Sequence, residues 1–484
     1  MSGDTVSSAA QSEDGFRVLD GLYEQAVLKQ PISEYGSRYL ADGRPVRVMK
    51  FDGSSVATVG RVGQVARRIV KAHEAGFAVC AVISAMGETT HNLLEMASAI
   101  CHDPPGRELD MLLTSGERIA MSLLAMAVTA EGVAAKSFTG SQAGIITDDM
   151  HGRARILEVE PVRVREALEE GTIAIVAGFQ GVSREGGDIT TLGRGGSDAT
   201  AVAMAVALDA AMCEIYTDVN GIFTADPRVV GTASHVRSVS YEEMLEMTSA
   251  GANVLMPRCV EYSRRYGMLV HVRSSFSDKD GTLVLDEPRG EGVEASLVYE
   301  VAHNRDEVKV TVVGVPDRPG AAAALFDAVA DAAINVDMIV HNVSVGHRGL
   351  ADISFTVTGE NGTEVMRSLT EAKSIIGFDD LVFDAAIGKV SLVGAGMKSD
   401  PNVSASLFEA IAGEGINIEM ISTSEFRIAV VVAVDRLDDA VRAVHSAFNL
   451  AAAGGDSIVG AGTGCGQQPD TWMPGLKPQG GKRR

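Results

Sequence analysis

The last third of the 484-residue chain contains an internal repeat, and this repeat restricts the possible folds more than any other feature. Val310–Gly314 recurs as Val390–Gly394 at an offset of 80 residues, and Ile334–Ile339 recurs as Ile416–Ile421 at an offset of 82. Each copy reads as a strand, a loop, an amphipathic helix, a turn and another strand, which is the order of a ferredoxin-like βαββαβ unit. The repeat predicts two small domains side by side, able to hold a small molecule between them.

Before the repeat, short β-branched segments alternate with longer Ala-rich helical patterns. Strands are predicted at Val46–Lys50 and Ala78–Ser84, with a helix at Val59–Ala75 between them, and further strands at Ile173–Ala177 and Cys213–Thr217. This alternation is typical of βαβ units in a mainly parallel sheet. In such sheets, ligands commonly bind in the loops that follow the strands, so these loops are the first place to look for a site.

Changes in composition indicate the domain boundaries. Residues 1–45 lack sustained apolar periodicity, and residues 464–484 are rich in Gly, Pro, Gln and Lys, so both segments are expected to be flexible extensions. The run Asp-Glu-Pro-Arg-Gly at 286–290 is interpreted as a linker. The α/β domain is therefore predicted at 46–288 and the paired domains at 289–463.

Composition and charge exclude several functional classes. The 42 Lys and Arg residues against 64 Asp and Glu give a net charge of −22, which predicts no nucleic-acid partner. The five cysteines are scattered without a CxxC pair, which favours a cytoplasmic protein and predicts neither a disulfide framework nor a zinc site. Charges interrupt the apolar stretches before the roughly 20 residues of a membrane span, so no membrane partner is expected. An anionic substrate therefore needs a locally positive site.

Two loops have residues suited to binding an anion. Lys50 ends the first strand and is followed by Gly53 and Ser54 before a helix, so its ammonium and the loop N–H groups could meet phosphate oxygens. An ordinary turn is the alternative. In Thr191–Asp198, three glycines allow close backbone approach, and Arg194 offers a planar fork for a carboxylate. A solvated surface loop is the alternative there.

Three further segments make the set specific: residues 84–90, 115–118 and 217–228. Glu117 opens a predicted helix and could bind an ammonium group, although an acidic residue at that place also complements the helix dipole. Arg228 could neutralise phosphate charge, although a solvated arginine after a proline turn is the alternative. The segments are harder to explain by chance when they are taken together.

The combined segments resemble the aspartate kinases of the amino-acid kinase family, in the form that carries two C-terminal ACT domains, and are most similar to the actinobacterial type. The resemblance implies a three-layer α/β/α kinase domain with a mainly parallel sheet, two intertwined ACT domains and a homo-oligomer built through the ACT sheets. It covers about residues 46–463 and rests on Lys50–Val56, Ser84–Thr90, Thr114–Arg118, Ser141–Gly144, Gly178–Gly181, Thr191–Asp198, Thr217–Arg228, Val310–Asn342 and Val390–Arg427.

Members of this family transfer the γ-phosphate of Mg²⁺-ATP to the side-chain carboxylate of L-aspartate, giving 4-phospho-L-aspartate for lysine, threonine and methionine synthesis. The resemblance assigns no side chain of this chain as a Mg²⁺ ligand. By resemblance, the catalytic residues would be Lys50, Gly53, Arg194, Ser197 and Asp198; the substrate would meet Ser84, Thr90, Glu117, Arg194 and Ser197; and the nucleotide would meet Lys50, Gly53, Ser54, Thr217, Asp218, Phe223 and Arg228.

The ACT pair implies feedback control, with lysine, threonine or both as the effectors. For Asn335 and Asn417, turn chemistry before an edge strand is the alternative to effector binding. The candidate effector contacts are Asp317, Gly320, Asp337, His341 and Asn342 in the first unit and Asn417, Ile418, Ser424 and Glu425 in the second.

Two positions of the predicted kinase domain depart from the family pattern, and in the ACT units His341 and Gly415 replace a usual Gln and Asn. Asp52 replaces a usual glycine, placing a carboxylate beside the phosphate loop and adding strain if the backbone there has a positive φ. Asn253 replaces a usual lysine and so removes a cation expected near the phosphates. These changes leave two alternatives to an aspartate kinase: a non-catalytic amino-acid sensor, or a kinase for a related amino acid in a specialised pathway. Asp52 and Asn253 favour the sensor. Six retained family residues favour an enzyme: Lys50, Glu117, Arg194, Ser197, Asp218 and Arg228.

Overall fold

The computed structural model describes residues 40–451, apart from positions 253, 287–297, 299, 333, 344–348, 395–396 and 398–399. Most of the two predicted extensions, most of the predicted linker and Asn253 therefore lie outside the described residues. Residues 40–45 form the end of the predicted N-terminal extension, and here they are packed. Leu40 is buried, and Arg44 donates a hydrogen bond to the carbonyl of Leu168 at 2.7 Å.

Helices and strands alternate through the first part of the chain. The helices are α1 (Val59–Glu74), α2 (Thr89–Ile100), α3 (Gly106–Leu113), α4 (Ser115–Ala130), α5 (Val162–Glu169), α6 (Gly196–Ala207), α7 (Tyr241–Ala250), α8 (Pro257–Tyr266), α9 (Ala321–Asp331), α10 (Gly362–Ile376), α11 (Pro401–Gly413) and α12 (Leu437–Ala447). The strands are β1 (Val46–Phe51), β2 (Ala78–Ile83), β3 (Ala135–Phe138), β4 (Ile145–Thr147), β5 (Ile156–Val159), β6 (Ile173–Ala177), β7 (Gln180–Ser183), β8 (Ile189–Thr191), β9 (Met212–Thr217), β10 (Ile222–Phe223), β11 (His235–Val236), β12 (Ser238–Ser240), β13 (Val270–Ser274), β14 (Thr282–Leu285), β15 (Glu300–Asn304), β16 (Glu307–Pro316), β17 (Ile339–Val343), β18 (Leu350–Thr358), β19 (Asp380–Asp384), β20 (Ile387–Val393), β21 (Met420–Thr423) and β22 (Arg427–Ala433).

An eight-stranded sheet forms the centre of the first domain, in the order β12-β14-β13-β9-β1-β2-β6-β3. From β13 to β3 every neighbouring pair is parallel, and β14 is antiparallel to β13. Every residue of β2, β6 and β9 is buried, as expected for inner strands of a sheet covered on both faces. The prediction of a mainly parallel α/β sheet is confirmed.

Helices cover both faces of this sheet. Successive residues of β2 enter different cores because strand side chains alternate between faces: Val82 belongs to one core and Ile83 to the other. The first core includes Met204 of α6 and Cys259 of α8, and the second includes Leu124 of α4. The domain therefore has three layers, α/β/α.

Helices α3 and α4 together form an apolar helical stretch, Gly106–Ala130. By length and composition alone this 25-residue stretch could cross a membrane. In the fold, half of the most apolar part of this stretch is buried, and Leu124 and Val128 lie in the core that α1 and the sheet share. The position of α4 as a core helix accounts for its apolar composition.

A small sheet, β5-β4-β7-β8, and the strand pair β10-β11 complete the first domain. Two further four-stranded sheets follow it, with strand orders β17-β18-β16-β19 and β15-β20-β22-β21. Helices α9 and α10 share a core with the first sheet, and α11 and α12 share one with the second. The second repeat supplies three strands of its own sheet, and β15, which precedes the first repeat, supplies the fourth by pairing antiparallel with β20. The two predicted ferredoxin-like units are therefore present and intertwined.

The paired units contact the first domain near two of its loops. Val301 of β15 donates a backbone hydrogen bond to Thr224 at 2.8 Å, and the Thr224 hydroxyl lies 3.0 Å from the ring Nε2 of His445 in α12. An ion pair joins Arg194, in the glycine-rich segment, to Glu360, just before α10. These contacts connect the paired units to the loops that follow β9 and β8.

Candidate active site

The carboxyl ends of four adjacent parallel strands bring most of the predicted site residues to one edge of the main sheet. In the order β9-β1-β2-β6, the strands end beside Thr217, Lys50, Ser84 and Gly178. Parallel strands all end at the same edge, and this edge is where open α/β sheets bind ligands. The fold therefore explains why residues far apart in sequence belong to one site.

The loop after β1 packs closely against the segment after β2. The N–H of Gly87 donates to the carbonyl of Gly53 at 3.0 Å. A Cβ at Gly53 would lie 2.6 Å from the carbonyl oxygen of Ala85, so this close approach requires glycine. Asp52 has φ −66° and ψ 162°, which is ordinary extended backbone. The strain considered for Asp52 is therefore absent, and its side-chain charge is what distinguishes it from glycine.

Lys50 is a buried cation, with 5% of its surface exposed. Its Nζ lies 2.5 Å from Oδ1 of Asp198 and also pairs with the carboxylate of Asp52. Burial alone would lower the pKa of Lys50, but the charges of Asp198 and Asp52 outweigh it and hold the pKa above its ordinary value. Lys50 is therefore fully charged at neutral pH, and the structure brings the predicted residues Lys50 and Asp198 together.

Ser197 lies buried in the first turn of α6 and faces the end of β6. A Cβ at Gly178 would lie 2.7 Å from the hydroxyl oxygen of Ser197, and the Gly178 N–H donates to the carbonyl of Ile83 at 3.0 Å. Gly195, just before the helix, has φ +67°, and a Cβ there would collide with the side chain of Met256. The two glycines therefore allow the N-terminus of α6 to approach the strand edge, where helix N–H groups favour an anion.

Glu117 is a buried carboxyl group in the first turn of α4, 3% exposed. Its Oε1 accepts a hydrogen bond from the N–H of Ala85 at 3.2 Å, while Oε2 has no partner among the described residues. Burial raises the pKa of Glu117 to about 7. An acidic residue that only complements the helix dipole can remain exposed to solvent, so that role alone does not explain why Glu117 is buried. Thr90, also predicted to bind substrate, lies half-buried in the first turn of α2.

The raised pKa of Glu117 predicts a pH dependence of substrate binding. An ammonium group needs the ionised carboxylate, and Glu117 becomes neutral as the pH falls through about 7. We therefore expect kcat/KM for L-aspartate to rise from about pH 6 to about pH 8 and then level off. Glu117→Gln should give a low and flat profile, and Glu108→Gln, at an exposed glutamate of α3, should keep the wild-type profile. A wild-type profile in Glu117→Gln would contradict this role.

Arg194 is not directed to the strand edge in this conformation. Its side chain is 83% exposed, and Nη2 lies 2.9 Å from Oε2 of Glu360, whose side chain is 56% exposed. Glu360 belongs to the short 3₁₀ turn Gly359–Asn361 that precedes α10. The structure therefore does not bring the Arg194 side chain to the buried Ser197, its predicted partner in substrate binding, and instead pairs Arg194 with the paired units.

The predicted nucleotide residues divide into two groups. Thr217 and Asp218 lie at the end of β9, where the Thr217 hydroxyl donates to Asp218 at 3.1 Å. Phe223 and Arg228 lie in the loop beyond, where Arg228 is 87% exposed and bound by both carboxylate oxygens of Asp226. Thr217 and Asp218 lie close to the loop after β1, because β9 and β1 are neighbouring strands that end at the same edge. The charge of Arg228 is instead paired with Asp226.

Sequence reasoning missed a segment after β13. The hydroxyl oxygens of Ser55 and Ser275 lie 2.5 Å apart, and Arg61 both donates to the carbonyl of Ser54 and stacks over the Phe276 ring. A signal was present, because Ser275 follows an apolar strand in the same way as the small polar residues after β1 and β2. The loop after β1 is therefore supported from the β13 side.

The predicted effector residues lie on loops and edge strands of the paired units. Asp317 and Gly320 are in the loop before α9, where the Asp317 N–H donates to Gly349 at 2.8 Å, and His341 and Asn342 are exposed on edge strand β17. In the second unit, the residues that flank β21 are Asn417, Ile418, Ser424 and Glu425.

Asp337 is already engaged by the second unit. Its carboxylate lies 2.5 Å from Nζ of Lys389 and 3.3 Å from Nη2 of Arg427. Lys389 is buried and also pairs with Glu307 at 2.5 Å. These charges hold the pKa of Asp337 below its ordinary value. The contacts make Asp337 a link between the two units, and any ligand there has to compete with Lys389.

Two protein-family models match most of this chain. The model of the amino acid kinase family matches residues 45–274, and the ACT domain model matches residues 310–372 and 390–448. The fold and the strand-edge site thus define an amino-acid kinase with C-terminal ACT domains. An actinobacterial aspartokinase, from Mycolicibacterium smegmatis, is 56% identical over 419 residues, covering 86% of this chain and 99% of that protein. The chain belongs to the aspartokinase family.

Two crystal structures of E. coli aspartokinase III are similar to this chain, each at 25% sequence identity. The complex with aspartate and ADP, in the R-state, has a TM-score of 0.70 and covers 83% of this chain and 99% of that one. The complex with lysine and aspartate, in the T-state, has a TM-score of 0.65 and covers 84% of this chain and 99% of that one. The resemblance to the aspartate kinases is confirmed at the level of family and fold.

Proposed function

We propose that this chain transfers the γ-phosphate of ATP to the side-chain carboxylate of L-aspartate, giving 4-phospho-L-aspartate. The observation that carries the proposal is a buried ammonium and a buried carboxylate at one edge of the sheet: Lys50 at the end of β1, and Glu117 of α4 against the segment that follows β2. The backbone of Ala85 lies between them, because its N–H donates to Glu117 and its carbonyl lies against Gly53. Phosphate and ammonium can therefore be held side by side at one edge of the sheet.

On the phosphate side, Lys50 supplies the positive charge and Gly53 lets the backbone approach. Ser54 in the loop after β1, together with Thr217 and Asp218 at the end of β9, lines the same edge and would contact the nucleotide. Mg²⁺ bound to ATP would shield the phosphate charge. The carboxylates nearest to the loop, Asp52 and Asp198, are oxygen donors of the kind that Mg²⁺ prefers, and in this structure both pair with Lys50.

On the substrate side, Glu117 would bind the ammonium group of L-aspartate. Ser197, at the N-terminus of α6, would bind a carboxylate, and Arg194 would complete this part of the site once it leaves Glu360. Ser84 and Thr90 flank the segment that carries Ala85. This arrangement recognises both charged groups on the α-carbon and leaves the side-chain carboxylate facing the phosphate.

The reaction requires positioning and charge neutralisation rather than proton transfer. A carboxylate oxygen of aspartate forms a bond to the γ-phosphorus, the bond from that phosphorus to the β,γ-bridging oxygen breaks, and ADP leaves with the electron pair. The nucleophile is already ionised at neutral pH, so no general base is needed. Lys50 neutralises charge on the transferring group, which is the main task of such a site.

Trapping of the acyl phosphate with hydroxylamine tests the proposal. The full chain with ATP, Mg²⁺ and L-aspartate should form a hydroxamate, and L-glutamate and D-aspartate should not replace L-aspartate. A hydroxamate only with another amino acid would favour a kinase of a specialised pathway. No product with any acidic amino acid would contradict the proposal.

The pairing of Asp52 with Lys50 favours one second candidate, a non-catalytic amino-acid sensor. The Asp52 carboxylate partly neutralises the positive charge of Lys50, which a phosphate would otherwise meet. A sensor would bind L-aspartate or another amino acid in calorimetry and give no hydroxamate. Restored activity in Asp52→Gly would then show that the Asp52 charge is the cause.

We also propose lysine and threonine as effectors of the paired ACT units. The two intertwined sheets support this, as does lysine binding by aspartokinase III of E. coli. Calorimetry on the full chain should show heat with threonine, lysine or both. Asp317→Ala should weaken binding about tenfold or more, because it removes a carboxylate from the loop before α9. Asp327→Ala, at an exposed position of α9, should bind as wild type does. The absence of heat with either amino acid would contradict the assignment.

A cytoplasmic homo-oligomer completes the proposed description. The edge strands of the two ACT sheets expose apolar side chains, including Ile339 and Val343 of β17 and Ile421 of β21. An edge strand with exposed apolar residues favours pairing with another chain. The four cysteines among the described residues are free thiols, in agreement with a reducing compartment.

A further inference from the structure

A fully buried carboxylate, not assigned to the reaction above, connects two loops of the site. Asp110 of α3 has 0% of its surface exposed. Its Oδ1 accepts a hydrogen bond from the Thr191 hydroxyl at 2.6 Å, and its Oδ2 lies 2.8 Å from ring Nδ1 of His151. The Gly152 N–H lies 3.1 and 3.2 Å from the two oxygens. A buried carboxylate is costly unless its oxygens are bonded, and here both are.

The two ends of this network belong to the two parts of the substrate site. Thr191 is the last residue of β8 and starts the glycine-rich segment that carries Arg194 and leads to Ser197. On the other side, the Asp110 carbonyl accepts a hydrogen bond from the N–H of Thr114, where α3 passes into α4 and its Glu117. Asp110 thus connects the element that would bind carboxylate to the element that would bind ammonium.

Spacing between these elements is important because of the substrate's shape. The ammonium and α-carboxylate of an amino acid are attached to one carbon atom, so their protein partners must keep a fixed separation. Misplacement of a binding group by about 1 Å can cost a large factor in rate or affinity. The Asp110–Thr191 hydrogen bond is a direct side-chain connection between the two elements.

We propose that Asp110, acting through the Thr191 hydroxyl, is a positioning residue for L-aspartate. This inference rests on the proposed function, because it concerns the spacing between Glu117 and the Arg194 segment. It differs from a purely structural role, in which the network would stabilise the fold without changing substrate affinity. The two roles predict different kinetic results.

Substitutions of two adjacent threonines of β8 separate these roles. Thr191 and Thr190 are both fully buried, but the Thr190 hydroxyl bonds to Thr147 at 2.6 Å rather than to Asp110. Thr191→Val removes only the hydroxyl and should raise KM for L-aspartate about tenfold or more, with KM for ATP within about twofold of wild type. Thr191→Ser keeps the hydroxyl and should restore KM. Thr190→Val should lower the melting temperature and leave KM for L-aspartate within about twofold.

Other outcomes would overturn the proposal. These are an unchanged KM for L-aspartate in Thr191→Val, an equal rise in Thr190→Val, or a parallel rise in KM for ATP. If Thr191→Val does not fold, Thr191→Cys replaces it. A thiol is a weaker donor, so KM should rise about threefold or more, and an unchanged KM would count against the proposal.

The wild-type protein in the same assay separates this inference from the proposed function. Wild-type turnover with unchanged KM in Thr191→Val would overturn the positioning role alone. If the wild type binds L-aspartate without turnover, the proposed function fails, and the dissociation constants of the same variants decide the positioning role. If the wild type does not bind L-aspartate, both are overturned.

Discussion

Lys50→Met is expected to lower kcat by about 10²–10³-fold, which is the usual loss when one charge-stabilising group is removed from a reacting site. Lys50 is the buried cation at the end of the central strand β1, and its charge is held by Asp198 and Asp52. Water cannot replace a buried charge at that depth, so the developing charge on the transferring phosphate would lose its partner. Steady-state kinetics with the hydroxamate assay measures the loss.

Two further variants control for folding and for charge. Removing Lys50 leaves Asp198 buried and unpaired, which can cost about 3–5 kcal/mol of stability, so Lys50→Met/Asp198→Asn should recover melting temperature without recovering kcat. Lys71→Met, at an exposed lysine of α1, should behave as wild type.

Asp52→Gly makes the opposite change at the same site, because it frees Lys50 from one carboxylate. It should tighten ATP binding and raise kcat. If Lys50→Met keeps wild-type kcat, or Asp52→Gly weakens ATP binding, the assignment of Lys50 to the phosphate is wrong.

The sequence was sufficient to predict the strand-edge part of the site. Lys50, Ser84 and Thr217 each lie at or just beyond the end of a buried strand, and parallel strands end at one edge, so their proximity follows from the alternation of strands and helices. The internal repeat was sufficient to predict the two ferredoxin-like units, because the order of strands and helices that each copy indicates is the order found in the fold. The backbone of Asp52 was not predictable, because a positive or negative φ depends on how the loop packs against Ala85 and Gly87.

Long-range polar contacts were the part that the sequence could not provide. Thr191 meets Asp110 across 81 residues, and Arg194 meets Glu360 across 166 residues. Nothing near Asp110 in the sequence marks it as buried, since a lone aspartate in a short helix is usually solvated. Likewise, the sequence around Arg194 predicts an arginine that binds the substrate carboxylate. Only the fold shows that Arg194 pairs with Glu360 of the paired units.

Arg194→Ala is expected to raise KM for L-aspartate by about 10- to 100-fold, because a guanidinium fork binds a carboxylate through two charged hydrogen bonds. In this structure Arg194 instead pairs with Glu360 of the paired units. Both side chains are largely exposed, and an exposed ion pair changes an equilibrium by at most about fivefold. The carboxylate of a bound substrate can therefore displace Glu360. Until it does, Glu360 competes weakly with the substrate for Arg194.

Glu360→Gln should accordingly lower KM for L-aspartate, by about fivefold at most, because the competing carboxylate is removed. Glu364→Gln is the matched control, since Glu364 is an exposed glutamate of α10 that pairs with Arg367 rather than with Arg194. In the Arg194→Ala background, Glu360→Gln should have no further effect, because the two residues act through one contact. A higher KM in Glu360→Gln, or an unchanged KM in Arg194→Ala, would show that Arg194 belongs to the domain contact and not to the substrate site.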